Sequence, residues 1–197
     1  MKDGELERAV EVLENAGLVI YPTETCYGIG CDALDEEAVK EVYKAKERPR
    51  EKKLTVIVSD LKMAERYCNL SDIERKVCNE FMPGSLTVLA DKKSSVPDIL
   101  NDRFAFRVPA NSFCRELSGG LDRPVVATSA NISGARSSYS VDEIDKKLRE
   151  RADLVVDHGR LEKRPSSTII DIGEEGLKVY REGPIKEEEI RGVIDGG

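Results

Sequence analysis

The sequence has no tryptophan and only one histidine, His158, among its 197 residues. A single histidine excludes a histidine-rich metal site, and any Ser-His-Asp arrangement would have to use this residue. The five cysteines are odd in number and nowhere spaced as Cys-x-x-Cys, which argues against a disulfide framework and a zinc knuckle. We therefore predict reduced thiols and no metal site.

Long hydrophobic runs are also missing. No segment approaches the roughly 20 apolar residues that are needed to span a bilayer. Residues 1–14 are charged throughout and lack the apolar core of a signal peptide. These absences predict a cytoplasmic protein that does not insert into a membrane.

The chain has fewer positive than negative charges: 31 Lys and Arg residues against 38 Asp and Glu residues, for a net charge of −7. Such a chain as a whole repels nucleic acid and anionic membrane surfaces. An anionic ligand would therefore have to be held by a local concentration of cations. With 40% hydrophobic and 35% charged residues, the composition is that of a water-soluble globule, and disordered and collagen-like classes are excluded. We predict one domain over residues 1–197.

The hydrophobic pattern predicts helices and strands that alternate irregularly along the chain. Gly17 ends a first amphipathic helix, and Ser71 caps a helix that carries Ile73, Val77 and Phe81. Other helices are predicted at 35–46, 60–67, 111–117, 141–148 and from 185 onward, and strands at 18–21, 54–58, 85–90, 104–108, 124–128, 154–156, 168–172 and 177–180, with a loop at 22–30. Because there is no strict βαβ repeat, the predicted fold class is α/β (α+β), a twisted open sheet of mixed parallel and antiparallel strands flanked by helices.

A row of cations occupies every second position in one short segment. Its members are Lys44, Lys46, Arg48, Arg50 and Lys52. Pro49 disfavours a helical conformation before it, and alternate residues of an extended chain point the same way. The row could therefore line a groove for polyphosphate, which Arg and Lys bind well. The alternative is a solvated loop whose cations pair with the two glutamates of the segment.

Three short segments rich in hydroxyl and amide groups lie where apolar runs end, at residues 23–25, 128–131 and 166–168. Ligand-contacting loops of sheet proteins often occupy such positions, and these groups can recognise a zwitterion or a nucleotide. Taken singly, each could instead be a helix cap or a turn. There is no Gly-x-x-x-x-Gly-Lys-Ser/Thr and no Gly-x-Gly-x-x-Gly motif, which argues against P-loop, kinase and dinucleotide-binding functions.

Seven segments, taken in order, resemble the signatures of the YrdC-like threonylcarbamoyl-AMP synthases. They are 21–30 (YPTETCYGIG), 46–49 (KERP), 83–87 (PGSLT), 107–109 (RVP), 129–134 (SANISG), 167–171 (STIID) and 181–183 (REG). The similarity runs from about residue 17 to residue 183 and is of the short, single-domain type. It implies a YrdC-like fold with a concave basic cavity.

The resemblance implies a nucleotidyltransferase reaction in which L-threonine, bicarbonate or CO2, and ATP give L-threonylcarbamoyladenylate and diphosphate. The product would pass to a tRNA threonylcarbamoyl transferase for modification of adenosine 37 in tRNAs that read codons beginning with A. ATP is then a substrate, and Mg²⁺ is expected to be carried with it. Nucleotidyl transfer relies mainly on positioning and charge neutralisation, so a chain with one histidine is not at odds with it.

The resemblance also implies roles for individual residues. Catalytic roles fall to Lys46, Arg48, Ser129 and Asn131. ATP contacts fall to Lys46, Arg48, Lys52, Asn131 and Arg181. Threonine contacts fall to Thr25, Arg107, Ser129 and Ser167.

The sequence departs from the family pattern at three positions. Ile57 stands where many members have a histidine, Arg103 where many have a small polar residue, and Ser85 where proline is usual. Two alternatives therefore stay open: a module that binds tRNA, double-stranded RNA or rRNA without catalysis, and a paralogue that acts on another amino acid. The net charge of −7 and the few aromatic side chains favour the synthase over the RNA-binding module.

Overall fold

Two mixed β-sheets, flanked by helices, form the framework of the computed structural model, which describes residues 4–173 and 175–196. The helices are α1 (Glu5–Glu14), α2 (Glu36–Ala45), α3 (Leu61–Tyr67), α4 (Asp72–Phe81), α5 (Ser112–Leu121), α6 (Lys146–Arg151) and α7 (Glu187–Asp195), with a 3₁₀ turn at Val141–Glu143. The strands are β1 (Val19–Pro22), β2 (Tyr27–Gly30), β3 (Val56–Ile57), β4 (Cys68–Asn69), β5 (Leu86–Lys92), β6 (Phe104–Arg107), β7 (Val125–Val126), β8 (Thr128–Ser129), β9 (Leu154–Val155), β10 (Thr168–Gly173) and β11 (Gly176–Arg181).

The smaller sheet has the strand order β8-β2-β1-β9, and the larger has β11-β10-β5-β6-β3-β7 with β4 paired to β5. Three strand pairs are parallel, namely β1 with β9, β5 with β10, and β3 with β6. The remaining pairs are antiparallel. The predicted mixed sheet flanked by helices is thus confirmed, although it is divided into two sheets.

The two sheets are joined where β2 approaches β7. The Val126 amide donates to the Cys31 carbonyl at 2.9 Å, and the Tyr21 hydroxyl donates to the Val126 carbonyl at 3.0 Å. A Cβ on Gly30 would lie 1.8 Å from that same carbonyl oxygen, so only glycine allows this approach. The close contact holds the β1–β2 hairpin against the larger sheet.

Buried side chains form two hydrophobic clusters. The larger cluster lies between the sheets and helices α2, α3, α4 and α7. The smaller one joins α1 and α5 to β1 and β7, and fully buried Ile57 belongs to it. Helix starts are fixed locally: Asp35 accepts from the amides of Glu37 and Ala38, and Ser71 forms a capping box with Glu74.

Several expectations from the sequence need correction. The segment predicted as a loop at 22–30 contains β2, which is buried throughout. The residues that α4 buries are Glu74, Val77 and Cys78, whereas Ile73 is 46% exposed. The predicted strand at 54–58 is reduced to the two residues of β3.

The alternating cation row is not one extended segment. Lys44 lies in the last turn of α2, exposed and paired with Glu41. Lys46 is the C-cap of that helix and is 1% exposed. Glu47 then adopts a left-handed conformation with φ of 49°, so the chain turns before it reaches Arg48. The period-two argument therefore fails, because it assumed a strand geometry that only the residues near Pro49 could have.

Among the described residues, no helix is both long and apolar enough to cross a membrane.

Candidate active site

A cavity of about 300 Å³ opens between the ends of strands from both sheets. Its charged wall residues are all cations: Arg48, Lys53, Arg107 and Arg181. Nine serine and threonine residues complete most of the wall: Thr23, Thr25, Thr55, Thr87, Thr128, Ser129, Ser137, Ser166 and Ser167. Cationic and hydroxyl donors therefore line the same cavity.

The turn between β1 and β2 forms one side of the cavity. The Thr23 hydroxyl accepts from the amides of Thr25 at 3.1 Å and Cys26 at 3.2 Å, and it donates to the Cys26 carbonyl at 2.7 Å. This network makes a rigid turn of a polar segment. Thr25 and Cys26 consequently both line the cavity, and burial raises the pKa of the Cys26 thiol.

Arg107 enters the cavity from the end of β6. Its Nη1 lies 3.0 Å from Oε1 of Glu24, and both side chains are largely covered. Glu24 does not line the cavity, so the ion pair fixes one side of the guanidinium while another side remains directed at the cavity. Sequence reasoning predicted Arg107 and missed Glu24, although both belong to signature segments, 107–109 and 21–30.

Arg181 and Ser167 are in contact in another part of the cavity wall. The guanidinium donates from Nε to the Ser167 carbonyl at 2.9 Å and from Nη2 to the Ser167 hydroxyl at 3.2 Å. The Ser167 hydroxyl also lies 2.9 Å from that of Thr87. Burial, and then the nearby Arg107, lowers the pKa of Arg181. Thr87 was not among the predicted site residues.

Lys46, Ser129 and Asn131, three of the four predicted catalytic residues, are in contact with one another. The Lys46 ammonium donates to the Ser129 carbonyl and, at 2.8 Å, to the Asn131 carbonyl. Burial, and then Arg48, lowers the pKa of Lys46 to about 7. The Asn131 amide group donates to the Ile132 and Ala135 carbonyls. Ser129 lines the cavity, whereas Lys46 and Asn131 lie behind its wall.

Arg48, the fourth predicted catalytic residue, lines the cavity. Its Nε donates to the Lys52 carbonyl at 2.7 Å and its Nη2 to the Lys53 carbonyl at 2.8 Å. Burial lowers its pKa. The Lys52 side chain is exposed and does not line the cavity. The neighbouring residue, Lys53, lines it instead.

None of the described residues that line the cavity carries a carboxylate. Within residues 4–173 and 175–196, no three His, Cys, Asp or Glu side chains are grouped so that they could hold a metal ion. Mg²⁺ prefers carboxylate and phosphate oxygens, so the described residues do not fit a resident magnesium site.

A model of the Sua5, YciO and YrdC proteins, described as telomere recombination, matches residues 11–183. The chain belongs to the Sua5/YciO/YrdC family. A curated member, the putative threonylcarbamoyl-AMP synthase of Methanocaldococcus jannaschii, is 38% identical over 190 residues, which are 94% of this chain and 90% of the relative.

Solved structures of the Sua5/YciO/YrdC family have the same fold. Pyrococcus abyssi Sua5 complexed with L-threonine superposes with a TM-score of 0.92 at 31% identity, over 98% of this chain and 58% of that protein. Escherichia coli YciO has a TM-score of 0.83 at 25% identity, over 94% of this chain and 92% of YciO. This chain thus spans a little over half the length of the Pyrococcus member.

Two departures from the family pattern lie outside the cavity wall. Ile57 is fully buried in the smaller hydrophobic cluster. Arg103 immediately precedes β6, and its side chain pairs with Asp91 of β5 at 3.4 Å and with Asp171 of β10 at 3.3 Å. Neither side chain lines the cavity, so neither supplies or obstructs a wall contact.

Proposed function

We propose that this protein is a threonylcarbamoyl-AMP synthase, a nucleotidyltransferase that forms L-threonylcarbamoyladenylate and diphosphate from L-threonine, bicarbonate and ATP. One observation carries the proposal. The four side chains predicted to contact threonine, Thr25, Arg107, Ser129 and Ser167, all line one cavity, in a fold that superposes on a Sua5 complexed with L-threonine with a TM-score of 0.92.

The amino acid binds through charge pairing and hydroxyl contacts. The free side of the Arg107 guanidinium takes the threonine carboxylate, since planar guanidinium groups bind carboxylates through paired N–H donors. Thr25, Ser129 and Ser167 offer hydroxyls and backbone groups for the amine and the side-chain hydroxyl. Glu24 holds Arg107 in the required orientation.

ATP binds along the cationic wall residues other than Arg107. Arg48 and Arg181 line the cavity and neutralise phosphate charge, and exposed Lys52, next to the wall residue Lys53, adds a further cation. Lys46 and Asn131 shape the loop that carries Ser129. To touch a phosphate, the Lys46 ammonium would have to exchange its two carbonyl partners for phosphate oxygens.

The reaction proceeds by positioning and charge neutralisation. The threonine amine is carboxylated, and an oxygen of the resulting carbamate attacks the α-phosphorus of ATP while diphosphate leaves. Arginine donors aimed at the phosphates lower the barrier because negative charge shifts towards the departing diphosphate. Mg²⁺ would arrive bound to the triphosphate. The product is then available to a tRNA threonylcarbamoyl transferase.

Diphosphate release tests the proposal. Purified protein with ATP, L-threonine and bicarbonate should release diphosphate and form a product of the mass of L-threonylcarbamoyladenylate. Omission of L-threonine or of bicarbonate should reduce release to background. Release that is independent of either substrate would refute the synthase.

The same assay separates the alternatives. Faster release with another amino acid than with L-threonine would identify a paralogue with a different acceptor. No release, together with salt-dependent binding of tRNA or duplex RNA that weakens on charge reversal at Arg48 and Lys52, would identify an RNA-binding module.

A further inference from the structure

The side chains of Arg107, Thr87 and Arg181 lie at one level of the larger sheet. Together with Ser167 beside them, they form a row of hydrogen-bond donors in the cavity wall. Thr87 of β5 is opposite Ile169 of β10, and Ile169 is opposite Arg181 of β11. On the other side, Val88 pairs with Phe106, so the next pair along these antiparallel strands is Thr87 with Arg107. The cavity is lined by the residues at this level, namely Thr87, Arg107, Ile169 and Arg181. An arginine therefore stands at each end, with Thr87 between them.

The Thr87 and Ser167 hydroxyls have one O–H donor more than their hydrogen bonds within the protein require. Arginine can only donate, so the Ser167 hydroxyl accepts from Arg181 Nη2 at 3.2 Å. The Ser167 and Thr87 hydroxyls lie 2.9 Å apart, and their mutual hydrogen bond uses one of their two protons. Within the described residues, neither hydroxyl has a further hydrogen-bond acceptor. One O–H donor is therefore left for a ligand, whichever hydroxyl carries it.

We propose that this row binds the one-carbon substrate, bicarbonate, and then the carbamate carboxylate that is formed from it. The inference rests on the proposed function and locates a substrate to which no residue has been assigned. Thr87 and Ser167 are 3% and 5% exposed, so only a small group can reach both. Bicarbonate is small, carries one negative charge, and accepts hydrogen bonds from hydroxyl and guanidinium donors.

The position also suits the reaction. Thr87 and Arg107 belong to adjacent strands, whose backbones are about 4.8 Å apart, and both line the cavity, so the amine of a threonine held by Arg107 is within reach of a group bound at Thr87. The amine nitrogen bonds to the bicarbonate carbon, and the bicarbonate hydroxyl leaves with one amine proton as water. The carbamate keeps the single negative charge. Its oxygens then remain against the Thr87–Ser167 hydroxyls and Arg181, on the side of the cavity where ATP is proposed to bind.

Thr87→Val tests the inference, because valine keeps the shape of threonine and removes the hydroxyl. We expect KM for bicarbonate to rise about tenfold, the effect of one hydrogen bond to a charged group. KM for L-threonine and for ATP should stay within about twofold of the parent values. Thr87→Ser, which restores the hydroxyl, should recover most of the loss.

Ser118→Ala is the control. Ser118 is also a buried hydroxyl, but it donates to the Arg123 carbonyl at 2.8 Å and does not line the cavity. Its removal should leave all three KM values unchanged. Thermal unfolding shows whether each variant is folded, and Thr87→Ala serves as the second probe if Thr87→Val is not.

The outcomes distinguish the inference from the function on which it rests. A rise in KM for L-threonine instead of bicarbonate would place the amino acid carboxylate on the row, and a rise for ATP would place a phosphate there. Either result, or no change in any KM, would overturn the bicarbonate assignment while leaving the synthase intact. Failure of the parent protein to release diphosphate with all three substrates would refute the synthase itself.

Discussion

Arg107 Nη1 lies 3.0 Å from Glu24 Oε1, and the two side chains are only 12% and 8% exposed. The Glu24 oxygens have no hydrogen-bond partner among the described residues, so the ionic contact with Arg107 is their compensation for burial. A buried charge without its partner is costly because the interior solvates it poorly. The pair therefore couples the stability of the β1–β2 turn to the guanidinium that is proposed to bind substrate.

Replacement of Glu24 by glutamine should destabilise the fold. The variant leaves Arg107 charged and without a counter-ion, for which the expected loss of unfolding free energy is about 3 kcal/mol. Urea unfolding monitored by circular dichroism measures it. Glu41→Gln, which breaks the exposed pair with Lys44, should cost less than about 0.5 kcal/mol. Equal effects of the two substitutions would show that the buried pair has no special role.

Replacement of Arg107 by alanine should impair the use of threonine much more than that of ATP. Loss of a charge-assisted hydrogen bond to the substrate carboxylate predicts a rise in KM for L-threonine of about 10- to 100-fold. KM for ATP should change by no more than about twofold. Arg103→Ala is the control, because Arg103 projects from the same strand region but pairs with Asp91 and Asp171 outside the cavity. An equal loss for both substrates would contradict the proposed role of Arg107.

Local patterns in the sequence predicted much of the framework. The helix starts at Asp35 and Ser71 follow from capping, which depends on a few neighbouring residues. The site residues Thr25 and Arg107 were found because their signature segments resemble a family. The structure brings these distant segments to one cavity, and composition alone would not have selected them.

Other parts of the site depend on relationships that sequence spacing does not contain. Thr87 joins the cavity because strands far apart in sequence pair in a particular register. Lys53, and not Lys52, lines the cavity, and the alternating spacing could not show this because the segment is not extended: Glu47 adopts a left-handed conformation. Glu24 lies in a polar turn, and its pairing with Arg107 follows only from the tertiary fold.

Lys46 should make stability depend on pH near neutrality. Its pKa is lowered from 10.5 to about 7 by burial and by Arg48. Between these values the unfolded chain binds a proton that the folded chain does not, so unfolding free energy rises with pH, by up to about 1.4 kcal/mol per unit. Below about pH 7 both states are protonated, and the cost of the buried charge is fully present.

Urea unfolding between about pH 7 and 8.5 measures the Lys46 contribution as the difference in slope between the parent protein and Lys46→Met, because thiols ionise in this range in both proteins. Lys46→Met should abolish it, because methionine does not titrate. Lys44→Met should retain it, because Lys44 is exposed two residues earlier in α2. An identical pH slope in the parent protein and in Lys46→Met would contradict the assignment.

Cys26 should be the thiol that a small alkylating reagent modifies in the folded protein. Of the five cysteines, four are buried and Cys26 is partly exposed on the cavity wall. Its raised pKa predicts slow reaction at neutral pH, since the thiolate is the nucleophile. Intact mass should show one adduct, and ATP with L-threonine should slow its formation. Adducts in Cys26→Ser at the parent rate would contradict the prediction.

Gly183 should not tolerate alanine, because its backbone packs directly against the segment that carries Ser167. An added Cβ would lie 2.2 Å from the Ser166 carbonyl oxygen and 2.7 Å from the Thr168 nitrogen. Such overpacking predicts a loss of about 1–3 kcal/mol, together with a higher KM for L-threonine because Ser167 is displaced. Gly192 offers the opposite case: it lies inside α7, and a Cβ there meets nothing within 4 Å.

The two glycine substitutions should therefore change the unfolding free energy in opposite directions. Gly192→Ala should raise the unfolding free energy by about 0.5–1 kcal/mol, because alanine loses less conformational freedom in a helix. Urea unfolding and threonine-dependent diphosphate release, measured on both variants, check the pair. If Gly183→Ala were as stable and as active as Gly192→Ala, the close approach of residues 166–168 to Gly183 would have no part in building the site.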